Sequence, residues 1–131
     1  MSLQKDLVAY IKAINGMSER TAAVYWLDVP TGIKPPYITV QQVAGEIDVV
    51  HDGSSGLQMA RVQVDCYGST WAGAVALRDL VEKALKGYRG TIGSTVVDAI
   101  FPSNPMEFLE SAVTPPEYRA LEDFEIHFRK T

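Results

Sequence analysis

Residues 58–87 read QMARVQVDCYGSTWAGAVALRDLVEKALKG, and the change of period inside this stretch decides the fold class. From Gln58 to Cys66 the residues alternate: Ala60, Val62, Val64 and Cys66 form an apolar face, and Met59, Arg61, Gln63 and Asp65 a mostly polar one. Period two with one polar face predicts a half-buried strand. From residue 71 to 86 the apolar positions Ala74, Leu77, Val81 and either Ala84 or Leu85 recur at helical spacing. Ser69 or Thr70 is available as N-cap and Gly87 stands where a C′ glycine belongs, so an amphipathic helix is expected here.

Working outward, Leu3, Leu7, Ile11 and Ile14 make a helical stripe over residues 2–14, with Ser2 as cap and Asn15-Gly16 as stop. Ala22–Leu27 is short, apolar and aromatic, and Asp28–Pro36 (DVPTGIKPP) holds three prolines and a glycine. A strand running into a stiff loop is predicted. Tyr37–Ala44 returns to β-type residues, and Asp52-Gly53-Ser54-Ser55-Gly56 suits the tip of a long hairpin over Gly45–Leu57. Thr95–Phe101 and Tyr118–Phe128 read as strands, the second with Phe124, Ile126 and Phe128 opposite Asp123, Glu125 and His127. Between them Pro102–Pro116 carries four prolines and leaves Met106, Phe108 and Leu109 without an evident place to bury. Residues 102–117 are expected to form an extended proline-rich arm or loop. Together the elements predict an α+β fold: a mostly antiparallel or mixed sheet with both helices on one face, the other face polar and open to contacts.

A length of 131 residues, 47% hydrophobic and 21% charged, predicts one folded domain over 1–131 and leaves little room for a disordered chain. Twelve basic against 16 acidic residues give a net charge of −4 with no Lys/Arg cluster. Affinity built on neutralising phosphates is therefore not expected. One cysteine and two distant histidines offer neither an intrachain disulfide nor zinc-ligand spacing. No apolar run reaches a membrane span, and Lys5 and Asp6 interrupt the N-terminal leucines, so a soluble cytosolic chain without a membrane partner is expected.

Catalytic constellations are scarce. Cys66 shares the apolar face with Val62 and Val64, where a thiol acts as a small hydrophobe. His51 and His127 lie in a loop and on a polar strand face and read as solvated surface residues. Asp65, Asp123 and Glu125 could supply a carboxylate pair, but solvated or interfacial charge is the expected reading. Gly87, Gly90 and Gly93 follow a helix and precede a strand, the reverse of a phosphate cradle. Trp26 and Trp71 suit core packing, with an interface anchor as the other reading.

The order of segments resembles the small tail-completion, or tail-terminator, proteins of long-tailed bacteriophages and prophages. The likeness is carried by Val24-Tyr25, Val29-Pro30 and Pro35-Pro36-Tyr37-Ile38 after an N-terminal helix, then by Arg61–Asp65 (RVQVD) ending in Cys66-Tyr67. The alanine- and leucine-rich helix Ala74–Leu85 with Gly87, and the final Asp123-Phe124-Glu125-Ile126, complete it. This resemblance implies a virion protein of the tail–neck region, assembled in the bacterial cytoplasm, with neither catalysis nor cofactor. It implies a homo-oligomeric ring of six copies on the head-proximal end of the tail tube. The ring would end polymerisation, touch the tube protein and the head–neck connectors, and let DNA pass without specific binding. Another head–tail connector component, or a small-ligand-binding α+β domain, are the rival readings. Glu46, Asp48 and Asp52 are candidates for an acidic lumen lining or for a solvated loop tip. Arg61, Gln63, Asp65 and Phe108 are candidates for an interface.

Overall fold

A computed structural model describes residues 3–14, 17, 23–27, 29, 30, 32–48, 57–111 and 115–129, with the backbone alone over 44–48 and at 57. The elements run α1 (Leu3–Lys12), β1 (Ala23–Trp26), β2 (Tyr37–Asp48), β3 (Leu57–Gly68), α2 (Trp71–Leu85), β4 (Gly90–Ile92), β5 (Thr95–Glu110) and β6 (Glu117–Arg129). The strands form one six-stranded sheet of order β1-β2-β3-β6-β5-β4. Only β1–β2 is parallel; the other pairs are antiparallel, so the sheet is mixed and the fold α+β.

The alternation of β3 is realised in the burial: Ala60, Val62, Val64 and Cys66 are buried to 1% exposure or less. They pair in register with Ile126, Phe124, Glu122 and Ala120 of β6. Leu3, Leu7 and Ile11 of α1 and Leu77, Val81 and Leu85 of α2 join this same hydrophobic cluster. Contacts of α1 reach both β1 and β4, the two outermost strands. Five strand spacings span about 24 Å laterally, whereas ten helical residues extend only about 15 Å. Contact at both edges therefore requires the sheet to curl around α1.

Local chemistry sets the element ends. The Thr70 hydroxyl accepts from Gly73 N–H at 3.0 Å, which caps α2. Gly87, at φ +70°, ends it and donates its N–H to Ile100 O at 3.1 Å, tying the helix to β5. At Gly68 a Cβ would stand 2.7 Å from the backbone N of Ala74, so only glycine lets β3 meet the first turn of α2.

Several expectations are corrected. The strand expected over Tyr37–Ala44 continues to Asp48, and β4 is an element that the sequence pattern does not reveal. The strand expected over Thr95–Phe101 runs 16 residues, to Glu110. The expected irregular arm over 102–117 is therefore replaced by a strand to Glu110, paired with β6 as far as Glu110–Glu117. Pro102 and Pro105 fit because β4 covers only Thr95–Val97, and a missing N–H costs no ladder bond on an edge without a neighbour. A register shift between Ser103 and Met106, with Asn104 at φ +53°, absorbs the irregularity.

Candidate functional site on the outer face of the sheet

The face opposite the helices is built from continuous rows. Tyr37, Tyr67, Arg119 and Phe108 stand in one row across β2, β3, β6 and β5, and Thr39, Asp65, Leu121 and Met106 in the next. Two rows further on, Ala44, Arg61, Glu125 and Phe101 align. Parity alone puts Arg61, Gln63 and Asp65 on this side, and the structure adds Phe108, expected in the arm, and brings it together with Gln63 and Asp65 in one network.

Asp65 is its centre. Gln63 Nε2 donates to Asp65 Oδ1 at 2.7 Å, and Arg119 Nη2 lies 3.1 Å from Oδ2. The same guanidinium reaches Glu110 Oε1 at 3.3 Å and covers the Phe108 ring at 5.5 Å from its centroid. Asp65 is only 4% exposed. Burial pushes its carboxyl above the usual range, while Gln63 and Arg119 pull it back, so the charge depends on those two partners. Beside it Tyr37 and Tyr67 stack at 4.6 Å and 19°, and Tyr37 OH donates to Glu117 Oε1 at 3.1 Å.

A second network holds Arg61, whose Nη2 is 3.5 Å from Glu125 Oε1. Glu125 Oε2 meets His127 Nε2 at 2.8 Å, and the Phe101 ring stands edge-on to His127 at 5.6 Å. The hydrogen bond with His127, and then Arg61, hold the Glu125 carboxyl below its ordinary value. His127, expected to be solvated, is thus held between a carboxylate and an aromatic ring. Arg61 pairs with Glu125 and not with Asp65.

The remaining expected residues fall elsewhere. Glu46 and Asp48 occupy the far end of β2, where only the backbone is described, and Asp52 and His51 lie outside the described residues. Cys66 is fully buried, and burial pushes its thiol far above the ordinary value, which removes thiolate reactivity. Trp26 packs against the core as expected, but Trp71 is 57% exposed and does not.

On the helix face lies a cluster that alternation conceals. Glu122 is 3% exposed on the otherwise apolar side of β6, and its Oε1 has no hydrogen-bond partner. Burial and then the neighbouring Glu82 carboxyl of α2 push its carboxyl up to about 7. One turn earlier on α2, Arg78 pairs with Glu107 of β5. Asp6 is a second buried acid that helical spacing hides among leucines. Its Oδ2 accepts from Thr95 Oγ1 at 2.6 Å and from Ser94 N and Oγ at 3.3 Å, fastening α1 to the β4–β5 turn.

Two grooves flank these features. One, of about 430 Å³, runs between α1 and α2 along Tyr10, Ile14, Leu80 and Lys83; the other, of about 390 Å³, lies at the sheet end between Ile33, Pro35, Ser69 and Pro116. Among the described residues no helix is long and apolar enough to cross a membrane. Nor do three or more His, Cys, Asp or Glu residues gather there as a metal site. What the outer face offers is an apolar row of Phe101, Met106 and Phe108, 42–55% exposed, beside fixed ion pairs. Apolar contact area bordered by ordered charge is the composition of a protein–protein interface.

The model of the family described as tail completion protein gp17 matches residues 5–107. A chain in the solved virion of a native gene transfer agent particle superposes with a TM-score of 0.75, at 14% identity, over 98% of this chain and 96% of its own length. A second solved chain does so with a TM-score of 0.52, at 13% identity, over 98% and 91%. At these identities the structural likeness speaks for the fold. No curated protein sequence matches.

Proposed function

The chain belongs to the tail completion protein gp17 family of phage tail structural proteins, and we propose that it forms a ring that caps the head-proximal end of the tail tube. The ring, of six copies, stops tube polymerisation and presents a surface to the connector proteins of the head. It works by surface complementarity, without catalysis and without a cofactor. The observation that carries this reading is the family match over 5–107. The outer face supports it physically: rigid ion-pair ladders fix the orientation of contacts, and the exposed row Phe101, Met106 and Phe108 supplies apolar area. A net charge of −4 suits a lumen through which DNA passes without being held.

The test is genetic. A phage or prophage lacking this chain is expected to yield filled heads without attached tails, together with tail tubes of uncontrolled length. Supplying the chain in trans should restore joined particles. Normal tails and normal joining in its absence would overturn the proposal.

A further inference from the structure

The outline of the sheet is stepped. Among the described residues β1 covers β2 only over Tyr37–Val40, leaving 41–48 as a free edge, and β4 covers β5 only over Thr95–Val97, leaving 98–110 without a strand neighbour on that edge, with the Ile100 carbonyl taken by Gly87 N–H. The rows show where the steps lie. Ala23, Tyr37, Tyr67, Arg119 and Phe108 form one row, and Tyr25, Thr39, Asp65, Leu121 and Met106 another. At the far end Asp48, Gln58, Phe128, Val97 and Gly90 form a third. Each of these rows is five strands wide, but the first two begin at β1 and end at β5, while the third begins at β2 and ends at β4. The sheet is therefore offset by one strand between its two ends, so the strand that protrudes on one edge matches a recess on the other.

We propose that neighbouring copies of this chain join edge to edge through these steps: β1 of one copy lies antiparallel along the free 104–110 length of β5 in the next, and β4 of that copy seats against the free length of β2. This inference rests on the ring reading and specifies its contact. The strand directions permit it, because β1 runs with β2 and β2 runs against β5. Chemistry agrees at both levels. Apolar β1 (AVYW), followed by Leu27 at 64% exposure, meets Met106, Phe108 and Leu109 at 42–54%. Exposed Arg89, next to Gly90, stands at the level of acidic Glu46 and Asp48 on the opposite edge. With rows kept in register, Met106 falls beside Tyr25 of the next copy and Phe108 beside Ala23. Two different patches meeting head to tail without rise are what closes a ring. Pro102 removes a donor from the β5 edge before the paired length, which discourages pairing at other registers.

The experiment uses full-length chains with single cysteines, Tyr25→Cys and Met106→Cys, assembled alone and on polymerised tail tubes and then oxidised; the buried Cys66 stays silent. The two variants mixed are expected to give a disulfide-linked dimer that neither gives alone. The double variant should give a ladder ending at the ring's copy number. Arg89→Glu should raise the concentration for half-assembly about tenfold, the scale of one interface contact, and Asp48→Arg combined with it should restore assembly. Rings or caps that form without the Tyr25–Met106 linkage would overturn this contact and leave the ring reading standing. Absence of any ring or cap, alone or on tubes, would overturn both.

Discussion

Gly93 and Gly87 both sit at positive φ, +60° and +70°, yet the structure separates them sharply. A Cβ on Gly87 meets nothing within 4 Å, whereas one on Gly93 collides with the Asp6 carboxylate that fastens α1 to the β4–β5 turn. Gly87→Ala should therefore cost about 1 kcal/mol, the strain of a left-handed backbone alone. Gly93→Ala should cost about 2–4 kcal/mol, because displacing Asp6 also strands buried polar groups. Urea unfolding of both variants checks the difference; equal losses would remove Asp6 from its fastening role. Glu122 supplies a pH signature. Its folded pKa of about 7 lies above the ordinary 4.5, so the folded state binds the extra proton. Stability is then highest below about pH 4.5 for this group and declines as pH rises through 7. Glu122→Gln should flatten that decline and stabilise the protein at pH 8 by about 1–2 kcal/mol, less than the full shift implies because Glu82 stays partly solvated. A variant with an unchanged pH profile would contradict it. Neither acid was legible in the sequence, since each breaks the polarity pattern that locates its element.

At the scale of elements, β3, β6 and α2 were readable because period two and helical spacing are strong signals over Gln58–Cys66, Tyr118–Phe128 and 71–86. The β5 extension was not, because four prolines in 102–116 argue against a strand; two of them, Pro102 and Pro105, lie in β5, where the absence of a strand neighbour beyond Val97 on the β4 side among the described residues makes them tolerable. Parity placed Arg61, Gln63 and Asp65 on one face, but it left Phe108 in an arm and could not name Arg119, the residue that joins Asp65, Glu110 and Phe108 across three strands. Removing that cation should be costly. Arg119→Met leaves Asp65 buried and uncompensated and should lower stability by about 2–4 kcal/mol, whereas Arg119→Met with Asp65→Asn should recover most of it. Thermal unfolding of the three variants measures this coupling; additive losses would mean that the two side chains act independently.

At the scale of the whole molecule, the order of segments carries the family likeness, because a proline-rich loop before Tyr37, an RVQVD strand and an Ala/Leu helix follow one another at defined spacing. The proposed assembly edges are hidden from the sequence, since register between distant strands sets which rows end at β1 and which at β4. The curled sheet leaves its ion-pair ladders and its apolar row on the outside, where the proposed contacts would use them. The most direct measurement is electron microscopy of tail-tube polymerisation with increasing amounts of the purified chain. Tubes are expected to stop growing, each bearing density at one end only. Tubes that keep the same length distribution, with both ends bare, would contradict the capping role.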